Sequence, residues 1–262
     1  MAGELLTHRA GVNQDVLVLT LSNPGMRNAL HPDMYGAGIE VLSTAGHSKD
    51  VRAIVLTGAD AFFCAGGNLN RLLANRQLDA SVQHESVEQL GHWIDAIVSC
   101  PKPVIAAVEG VAAGAGLALA LACDMVVAAD NARFMAAYVR NGLSPDGGVT
   151  WLLQKLLPKA VAFECAMLGD PISAERLHAL GVVNVLCAAK NADAAALALA
   201  ERFAAGPQAA QASIKRLLTA ASAQDLATHL VEERHDFVEN LFAPDAGEGI
   251  AAFLAKRAPK YL

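Results

Sequence analysis

The sequence predicts an α/β fold with a helical C-terminal region. Short apolar runs typical of strands alternate with helical patterns up to about residue 140, and helical patterns dominate from there on. Two glycine-rich turns, residues 63–69 and 110–116, each follow an apolar run and precede a helical pattern. We therefore expect an α/β core over residues 1–200 and a helical region over residues 201–262.

The elements of the first part of the chain follow from its residue types. Residues 15–21 and 51–58 are apolar runs that end at turn residues, which predicts two strands. A helix with an apolar face is expected to begin near Pro32. Residues 70–85 are polar and are predicted to form a loop or a loose helix, and residues 86–100 are predicted to form a regular helix.

The elements around the second glycine-rich turn are shorter. Residues 103–108 form an apolar run, which predicts a strand that leads into this turn, and residues 117–122 are predicted to continue as a buried helix. Two short strands are expected over residues 125–128 and 132–136. One further strand, over residues 182–186, is expected to interrupt the helices that follow.

Composition and charge argue against several classes of function. The net charge is −6 and no cluster of five or more Lys/Arg residues occurs, which argues against nucleic acid as a partner. The longest uncharged apolar stretch, residues 110–123, is shorter than the roughly 20 residues that a membrane span needs. The eight histidines form no HxxxH or HExxH pair, so we expect no metal site.

The cysteines and the first residues predict a cytoplasmic protein. The five cysteines are widely spaced and form no CxxC pair, which is typical of reduced thiols in a cytosolic protein. The sequence from Met1 to Glu4 has no basic segment followed by an apolar one, so no signal peptide is expected.

The glycine-rich turns can carry chemistry because each can present free backbone N–H groups at the start of a helix. Two such donors aimed at one point form an oxyanion hole, which stabilises negative charge on a carbonyl oxygen. The alternative is that the glycines only satisfy tight turns or close helix packing. The carboxylate that stands out as a reacting group is Asp146, which could instead be the N-cap of a helix that begins near Gly147.

Six segments, taken together and in this order, resemble the crotonase superfamily, also called the enoyl-CoA hydratase/isomerase family. They cover nearly the whole chain and are residues 27–30 (RNAL), 63–66 (FCAG), 101–108 (PKPVIAAV), 123–124 (CD), 142–148 (GLSPDGG) and 253–257 (FLAKR). The resemblance implies a crotonase-like spiral of ββα units with a helical C-terminal trimerisation region. It further implies a homotrimer or a dimer of trimers and an acyl-CoA thioester as the ligand.

The resemblance also assigns roles by position. It implies that the N–H groups of Gly67 and Ala115 form the oxyanion hole. The backbone around Ala65 would meet the adenine of CoA, and Arg27 would lie near the pantetheine or the phosphates. Lys256 would contact CoA across the boundary between neighbouring subunits. Further substrate contacts are implied by the same motifs and are expected at Gly66, Asn68, Leu69 and Tyr138. No cofactor is expected, since CoA is part of the substrate.

The expected reaction depends on which carboxylates are present. Hydratases of the family use two glutamates, and the two matching positions here are Ala118 and Tyr138. Asp146 stands where similar isomerases carry a catalytic aspartate. A double-bond shift needs only one carboxylate, which removes a proton at one carbon and returns it at another. We therefore expect an isomerase that acts on a 3-enoyl-CoA or a phenylacetate-derived CoA ester.

Two alternatives remain open. One is an enoyl-CoA hydratase in which Asp146 and a bound water replace the glutamate pair, and the other is a non-catalytic acyl-CoA binder. Several side chains near the motifs are expected to have structural functions: Tyr138 as a pocket wall, Asn68 as a partner of its own turn, Glu109 at a strand end and Cys64 in packing.

Overall fold

The structure is a computed structural model that describes residues 3–261. Its strands are β1 (Glu4–Ala10), β2 (Val16–Ser22), β3 (Ala53–Gly58), β4 (Val104–Val108), β5 (Val111–Ala113), β6 (Met125–Ala129), β7 (Arg133–Met135), β8 (Ile172–Ser173) and β9 (Val185–Cys187). Its helices are α1 (Pro32–His47), α2 (Leu69–Asn75), α3 (Ala80–Ser99), α4 (Ala115–Ala122), α5 (Val149–Leu156), α6 (Lys159–Leu168), α7 (Ala174–Ala179), α8 (Ala192–Ala204), α9 (Gln208–Ala220), α10 (Leu226–Leu241) and α11 (Pro244–Leu254). A short 3-10 helix, Ala137–Asn141, follows β7. None of the helices within residues 3–261 is both long enough and apolar enough to cross a bilayer.

The main sheet has six strands in the order β1-β2-β3-β4-β6-β9. Only β1 is antiparallel to its neighbour, and the other pairs are parallel. All five residues of β4 are buried, as expected of a central parallel strand that is covered on both faces. A second, three-stranded sheet has the order β5-β7-β8.

Helix α8 covers one face of the main sheet with a stripe of alanines. Ala192, Ala196, Ala200 and Ala204 recur every four residues, are buried, and pack against strand residues such as Val55. Since residues four apart lie on one helix face, this stripe lets the helix backbone lie close to the sheet. Helix α8 crosses residue 200, which was the expected end of the core.

The opposite face of the main sheet carries the larger core. Leu56 of β3 and Val108 of β4 belong to it, together with buried side chains of α1, α3 and α4. Trp93 of α3 is fully buried against α1, where a Cβ added at Gly38 would lie 2.2 Å from its ring. The glycine is therefore required by the indole ring.

Strands β3 and β4 position the two glycine-rich turns, because one turn follows each strand. The Cys64 N–H donates to the Val111 carbonyl at 3.0 Å, and the Ala113 N–H donates to the Cys64 carbonyl at 2.9 Å. Cys64 and Ala112 form a parallel β-bridge. The main chains of the two turns are therefore tied to each other directly.

The structure confirms most of the predicted elements and corrects one region. Residues 70–85, predicted as a loop or a loose helix, contain most of α2 and the start of α3. Each of these helices begins at a side-chain cap: Asn68 accepts from the N–H groups of its first turn, and Asp79 accepts from the Ser81 N–H. Such caps satisfy backbone donors that would otherwise need water, and they stabilise both helices.

Lys215 of α9 connects the helical region to the core by hydrogen bonds and an ion pair. Its ammonium group donates to the carbonyls of Ile97 and Lys102, at 3.0 and 3.2 Å, and to the Asp124 carboxylate at 2.7 Å. The Lys215 and Asp124 side chains are only 11% and 28% exposed. This geometry explains why a lysine is needed on this face of α9.

We expect Lys215→Met to lower the free energy of unfolding by about 1–3 kcal/mol, since it leaves a carboxylate and two carbonyls without their donor. Urea unfolding of the two proteins measures the difference, with exposed Lys49→Met as the matched control. A loss below about 0.5 kcal/mol, as for an ordinary surface substitution, would contradict the anchoring function.

Candidate active site

The two glycine-rich turns meet so closely that side chains are excluded between them. Gly66 has a φ of +90°, and a Cβ there would lie 2.6 Å from the Ala113 carbonyl oxygen and 3.3 Å from the Ala115 nitrogen. Gly114 has a φ of +52°, and a Cβ there would lie 3.8 Å from the Gly66 Cα. Glycine is the residue that tolerates both the positive φ and this contact.

The backbone N–H groups of Gly67 and Ala115 are free to bind a ligand. Within residues 3–261, neither donates a hydrogen bond to a protein group. Ala115 is the first residue of α4, where an N–H has no partner inside the helix. The residues expected to form an oxyanion hole therefore lie on two turns in contact, each with an unused donor.

Asp146 is held by Tyr138. The Tyr138 hydroxyl donates to Asp146 Oδ1 at 2.7 Å, and no group among the described residues donates to Oδ2. The Tyr138 ring lies against the second turn, because a Cβ at Gly114 would be 3.8 Å from its Cζ. This contact brings the carboxylate to the same side of the molecule as the free N–H groups.

The environment of Tyr138 keeps its phenol protonated. Burial and then the charge of Asp146 raise the pKa of Tyr138 far above its usual value. The hydroxyl therefore keeps its proton and donates it to the hydrogen bond with Asp146. The residue types predict a pocket wall at Tyr138 but give no sign of this hydrogen bond.

Asp146 does not cap the helix that follows it. Helix α5 begins at Val149, its N-cap is Gly148, and no side chain accepts from its first turn. Only the Asp146 backbone carbonyl takes part, accepting from the Val149 N–H at 3.2 Å. The interpretation of the Asp146 side chain as an N-cap is therefore wrong, and the carboxylate is available for chemistry.

Ala118 occupies the floor of the site beneath the loop that carries Asp146. A Cβ at Gly147, whose φ is +55°, would lie 3.1 Å from the Ala118 Cβ and 3.1 Å from Leu90 Cδ2. Ala118 itself is fully buried. The position that the resemblance matches to a hydratase glutamate is thus filled by a methyl group that is packed under the Gly147 backbone.

The residues expected to bind CoA line the outer edge of the first turn. Arg27 is exposed, its guanidinium lies 5.3 Å from the centre of the Phe62 ring, and its carbonyl accepts from the Ala65 N–H at 3.0 Å. Ala65 and Leu69 are also exposed and accessible to a ligand. This edge can accept an elongated ligand that reaches the turn from solvent.

Two expected substrate residues have other contacts. The Asn68 side chain accepts from the N–H groups of Asn70 and Arg71 at 3.0 and 3.2 Å, so the expectation that it bonds its own turn is confirmed. Lys256 lies exposed beyond α11, and its N–H donates to the Phe253 carbonyl. Within residues 3–261 it has no hydrogen bond or ion pair with either glycine-rich turn.

Cys64 and Glu109 have structural functions, as the sequence analysis expected. Burial raises the pKa of the Cys64 thiol to about 12, so it stays protonated, and its sulfur accepts from the Gly66 N–H at 3.3 Å. The buried Glu109 carboxylate accepts from the Ala192 N–H at the start of α8, at 2.9 Å. Neither side chain is free to react.

One group of side chains within residues 3–261 has the spacing of metal ligands, and it lies outside this site. It consists of His235, Asp236 and Glu239 on α10. Asp236 already accepts from Arg216 at 2.5 Å, which occupies the carboxylate with a cation. The candidate active site itself offers one carboxylate and two backbone donors.

We expect Tyr138→Phe to lower kcat by about 10- to 100-fold with little change in KM, since a hydrogen bond to a charged group contributes about 1.5–3 kcal/mol. Steady-state kinetics on a short enoyl-CoA ester measures both constants. The melting temperature of Tyr138→Phe should stay close to that of the wild type, which serves as the control for folding. An unchanged kcat, or a fall in kcat that is accompanied by a large fall in melting temperature, would contradict a positioning function.

Known proteins are similar to this chain over nearly all of its length. A model of the enoyl-CoA hydratase/isomerase family matches residues 11–262. The chain is similar to 1,2-epoxyphenylacetyl-CoA isomerase of Escherichia coli (strain K12), with 36% identity over 258 residues that cover 98% of this chain and 97% of the relative. It is also similar to a probable enoyl-CoA hydratase of Rhodobacter capsulatus, with 37% identity and 97% of both chains covered.

Among solved structures, the chain is similar to an enoyl-CoA hydratase from Polaromonas sp. JS666. The TM-score is 0.96 and the identity 52%, with 99% of this chain and 100% of the other covered. This agreement over both the core and the helical C-terminal region confirms the fold that the sequence led us to expect.

Proposed function

The chain belongs to the enoyl-CoA hydratase/isomerase family, and on that premise we propose that it is an acyl-CoA isomerase acting through a thioester enolate. The observation that carries the proposal is the single carboxylate at the site, Asp146, held by Tyr138 beside two unused backbone donors. The substrate is a 3-enoyl-CoA or a ring-epoxide CoA ester derived from phenylacetate. The similarity to the E. coli epoxide isomerase supports the second of these.

The reaction follows from what the residues can hold. The thioester oxygen accepts from the Gly67 and Ala115 N–H groups, and Asp146 removes a proton from the carbon that the carbonyl acidifies. The electron pair of the broken C–H bond moves onto the oxygen, where each donor is worth roughly 3–4 kcal/mol of barrier. Asp146 then returns the proton to another carbon of the acyl group. Nothing is gained or lost overall, so no cofactor is needed beyond the CoA of the substrate.

Tyr138 acts in this scheme as a positioning residue. Its donor bond to Oδ1 fixes the carboxylate and leaves Oδ2 to face the substrate. Oδ2 can then take a proton from one carbon and return it to another, provided that the acyl chain lies across this oxygen. This division between a held oxygen and a free one suits proton transfer within a single bound molecule.

Hydration is the second candidate function, and the hydratase names of the relatives from Rhodobacter and Polaromonas favour it. Asp146 would then activate a water for the β-carbon. The absence of a carboxylate at Ala118 and Tyr138 argues against efficient hydration, since this reaction needs both an activated water and a proton for the α-carbon.

We further propose that the protein assembles as a homotrimer or a dimer of trimers through its helical region. Helices α9 to α11 expose large apolar side chains that a partner subunit would cover. They are Ile214, Leu218, Leu226, Leu230, Val231, Phe237, Val238, Leu241, Ile250, Phe253 and Leu254. Large exposed apolar side chains concentrated in one region are typical of an interaction site. Light scattering after size exclusion measures the assembly, and a monomer would overturn the proposal.

The experiment that tests the proposed reaction supplies paired 2-enoyl- and 3-enoyl-CoA esters in water labelled with heavy oxygen. We expect interconversion of the two esters without uptake of label, read by mass spectrometry of the products. Rapid formation of a labelled 3-hydroxyacyl-CoA would establish the hydratase instead. Binding of both esters with no turnover of either one, or of a ring-epoxide phenylacetyl-CoA, would leave only the acyl-CoA binder.

A further inference from the structure

Arg71 of α2 carries a charge that nothing in the described part of the chain neutralises. Its guanidinium donates to two hydroxyls, Ser86 Oγ at 3.2 Å and Tyr35 Oη at 3.4 Å. Its Nε is buried and has no hydrogen-bond partner. No carboxylate within residues 3–261 forms an ion pair with it. A half-buried cation without an anion is costly, so such groups are normally paired.

The position of Arg71 relates it to the site. It lies in the first turn of α2, where its N–H donates to the Asn68 side chain next to Gly67. Its α-carbon is three residues, or about one helical turn, beyond Asn68, the residue that adjoins Gly67. On the same helix, Leu72 Cδ1 lies 3.9 Å from a Cβ placed at Gly67.

The two hydroxyl partners belong to the walls of the same space. Tyr35 is buried and lies near enough to Asp146 for that charge to act on it: burial raises the pKa of Tyr35, Arg71 lowers it, and Asp146 adds to the increase. Ser86 is one turn before Leu90 on α3, and Leu90 touches the loop of Asp146 at Gly147. The side chains that hold Arg71 therefore lie on the same side of the protein as the Asp146 loop.

The donors that remain on Arg71 suit one kind of ligand. A guanidinium has five N–H donors, and each terminal nitrogen here uses one on a hydroxyl. One N–H is left on each terminal nitrogen, in the planar arrangement that a carboxylate accepts with two oxygens. The hydroxyls of Tyr35 and Ser86 fix the plane of the group without neutralising it.

We propose that Arg71 binds a carboxylate at the far end of the acyl group, so that, of the two substrates proposed above, the 3-enoyl-CoA is preferred, as a short ester with a second, ionised carboxyl group. This inference rests on the proposed function, since it places the acyl chain between the Gly67 and Ala115 donors and Arg71. A phosphate is disfavoured because the CoA phosphates belong at the exposed edge near Arg27.

The test compares hexenoyl-CoA with hexenedioyl-CoA, which has the same length and a terminal carboxylate. We expect the wild type to prefer hexenedioyl-CoA in kcat/KM, and Arg71→Met to reduce that ratio by about 30-fold or more, since truncating one partner of a buried charge pair has effects of this size. Arg71→Lys should keep part of the preference, because it keeps the charge and loses the planar fork.

Arg76→Met is the matched control, since Arg76 is an exposed arginine at the end of the same helix. It should leave the ratio of the two esters unchanged. An equal fall of kcat/KM for both esters in Arg71→Met would overturn the proposal, because it would show a general function in folding or positioning. A wild type that prefers hexenoyl-CoA would also overturn it.

Calorimetric binding of the unreactive esters hexanoyl-CoA and adipyl-CoA separates this proposal from the reaction. Tighter binding of adipyl-CoA that is lost in Arg71→Met would support the carboxylate site even if no ester is turned over. Turnover of enoyl-CoA esters together with equal binding of the two saturated esters would leave the isomerase proposal intact and overturn this one.

Discussion

Asp146→Asn is expected to lower kcat for double-bond migration by about a thousandfold, within the 10²–10⁴-fold that a positioned acid or base contributes. The amide has the shape of the carboxylate and its oxygen can still accept from Tyr138, so the geometry at Oδ1 should persist. What is lost is the base, because an amide does not take up the proton of the substrate. The effect should fall on kcat, with KM nearly unchanged.

Migration of the double bond in a 3-enoyl-CoA ester, followed by product analysis, gives the rate. Asp170→Asn is the matched control, since Asp170 is an exposed aspartate that pairs with Arg140. Binding of a saturated CoA ester should be the same in all three proteins. Water addition that proceeds at the wild-type rate in Asp146→Asn would place the acid or base elsewhere and refute the single-carboxylate mechanism.

Ala115→Pro is expected to lower kcat by about 10²- to 10³-fold, the cost of one lost oxyanion donor. Ala115 is the first residue of α4, and its N–H donates to no group among residues 3–261. Proline is favoured at this position of a helix, so the substitution removes the N–H without removing a bond of the fold. Because the donor acts mainly on the enolate, the effect should be on kcat rather than on substrate binding.

Ala80→Pro makes the same change at the first residue of α3, after an N-cap, Asp79, in extended conformation. It should leave both stability and kcat close to wild type. If Ala115→Pro keeps full activity, the Ala115 N–H does not stabilise the developing charge. Circular dichroism will show whether Ala115→Pro is unfolded. In that case, N-methylation of Ala115 by semisynthesis replaces the same amide hydrogen with a methyl group, which is smaller than the proline ring.

The parts of the fold that could be predicted from sequence are those where burial dictates the residue types. Strand β4 is apolar throughout because both its faces are covered. Strand β1 was missed because it lies at the edge of the sheet, is mostly exposed and carries polar residues, which edge strands tolerate. The three residues of β5 were missed because they lie inside the second glycine-rich turn and are too few to show alternation.

The candidate site divides in a similar way. The glycine-rich turns are visible in sequence because both Gly66 and Gly114 have a positive φ, and because a Cβ at Gly66 would also lie 2.6 Å from the Ala113 carbonyl oxygen. The bond from Tyr138 to Asp146 could not be predicted, since the two residues are eight positions apart across a 3-10 helix and a loop. The surroundings of Arg71 depend on how α1, α2 and α3 pack, which no local pattern encodes.

The β-bridge between Cys64 and Ala112 has a consequence for how such a protein diversifies. The donors that we propose for stabilising charge are main-chain atoms on segments that pair with each other, so nearly every substitution that preserves the fold also preserves them. The reacting side chains have no such protection, because a single codon change removes Asp146 or alters Ala118. Proteins that descend from this backbone can therefore change their reaction by replacing side chains, while the main-chain donors are inherited unchanged.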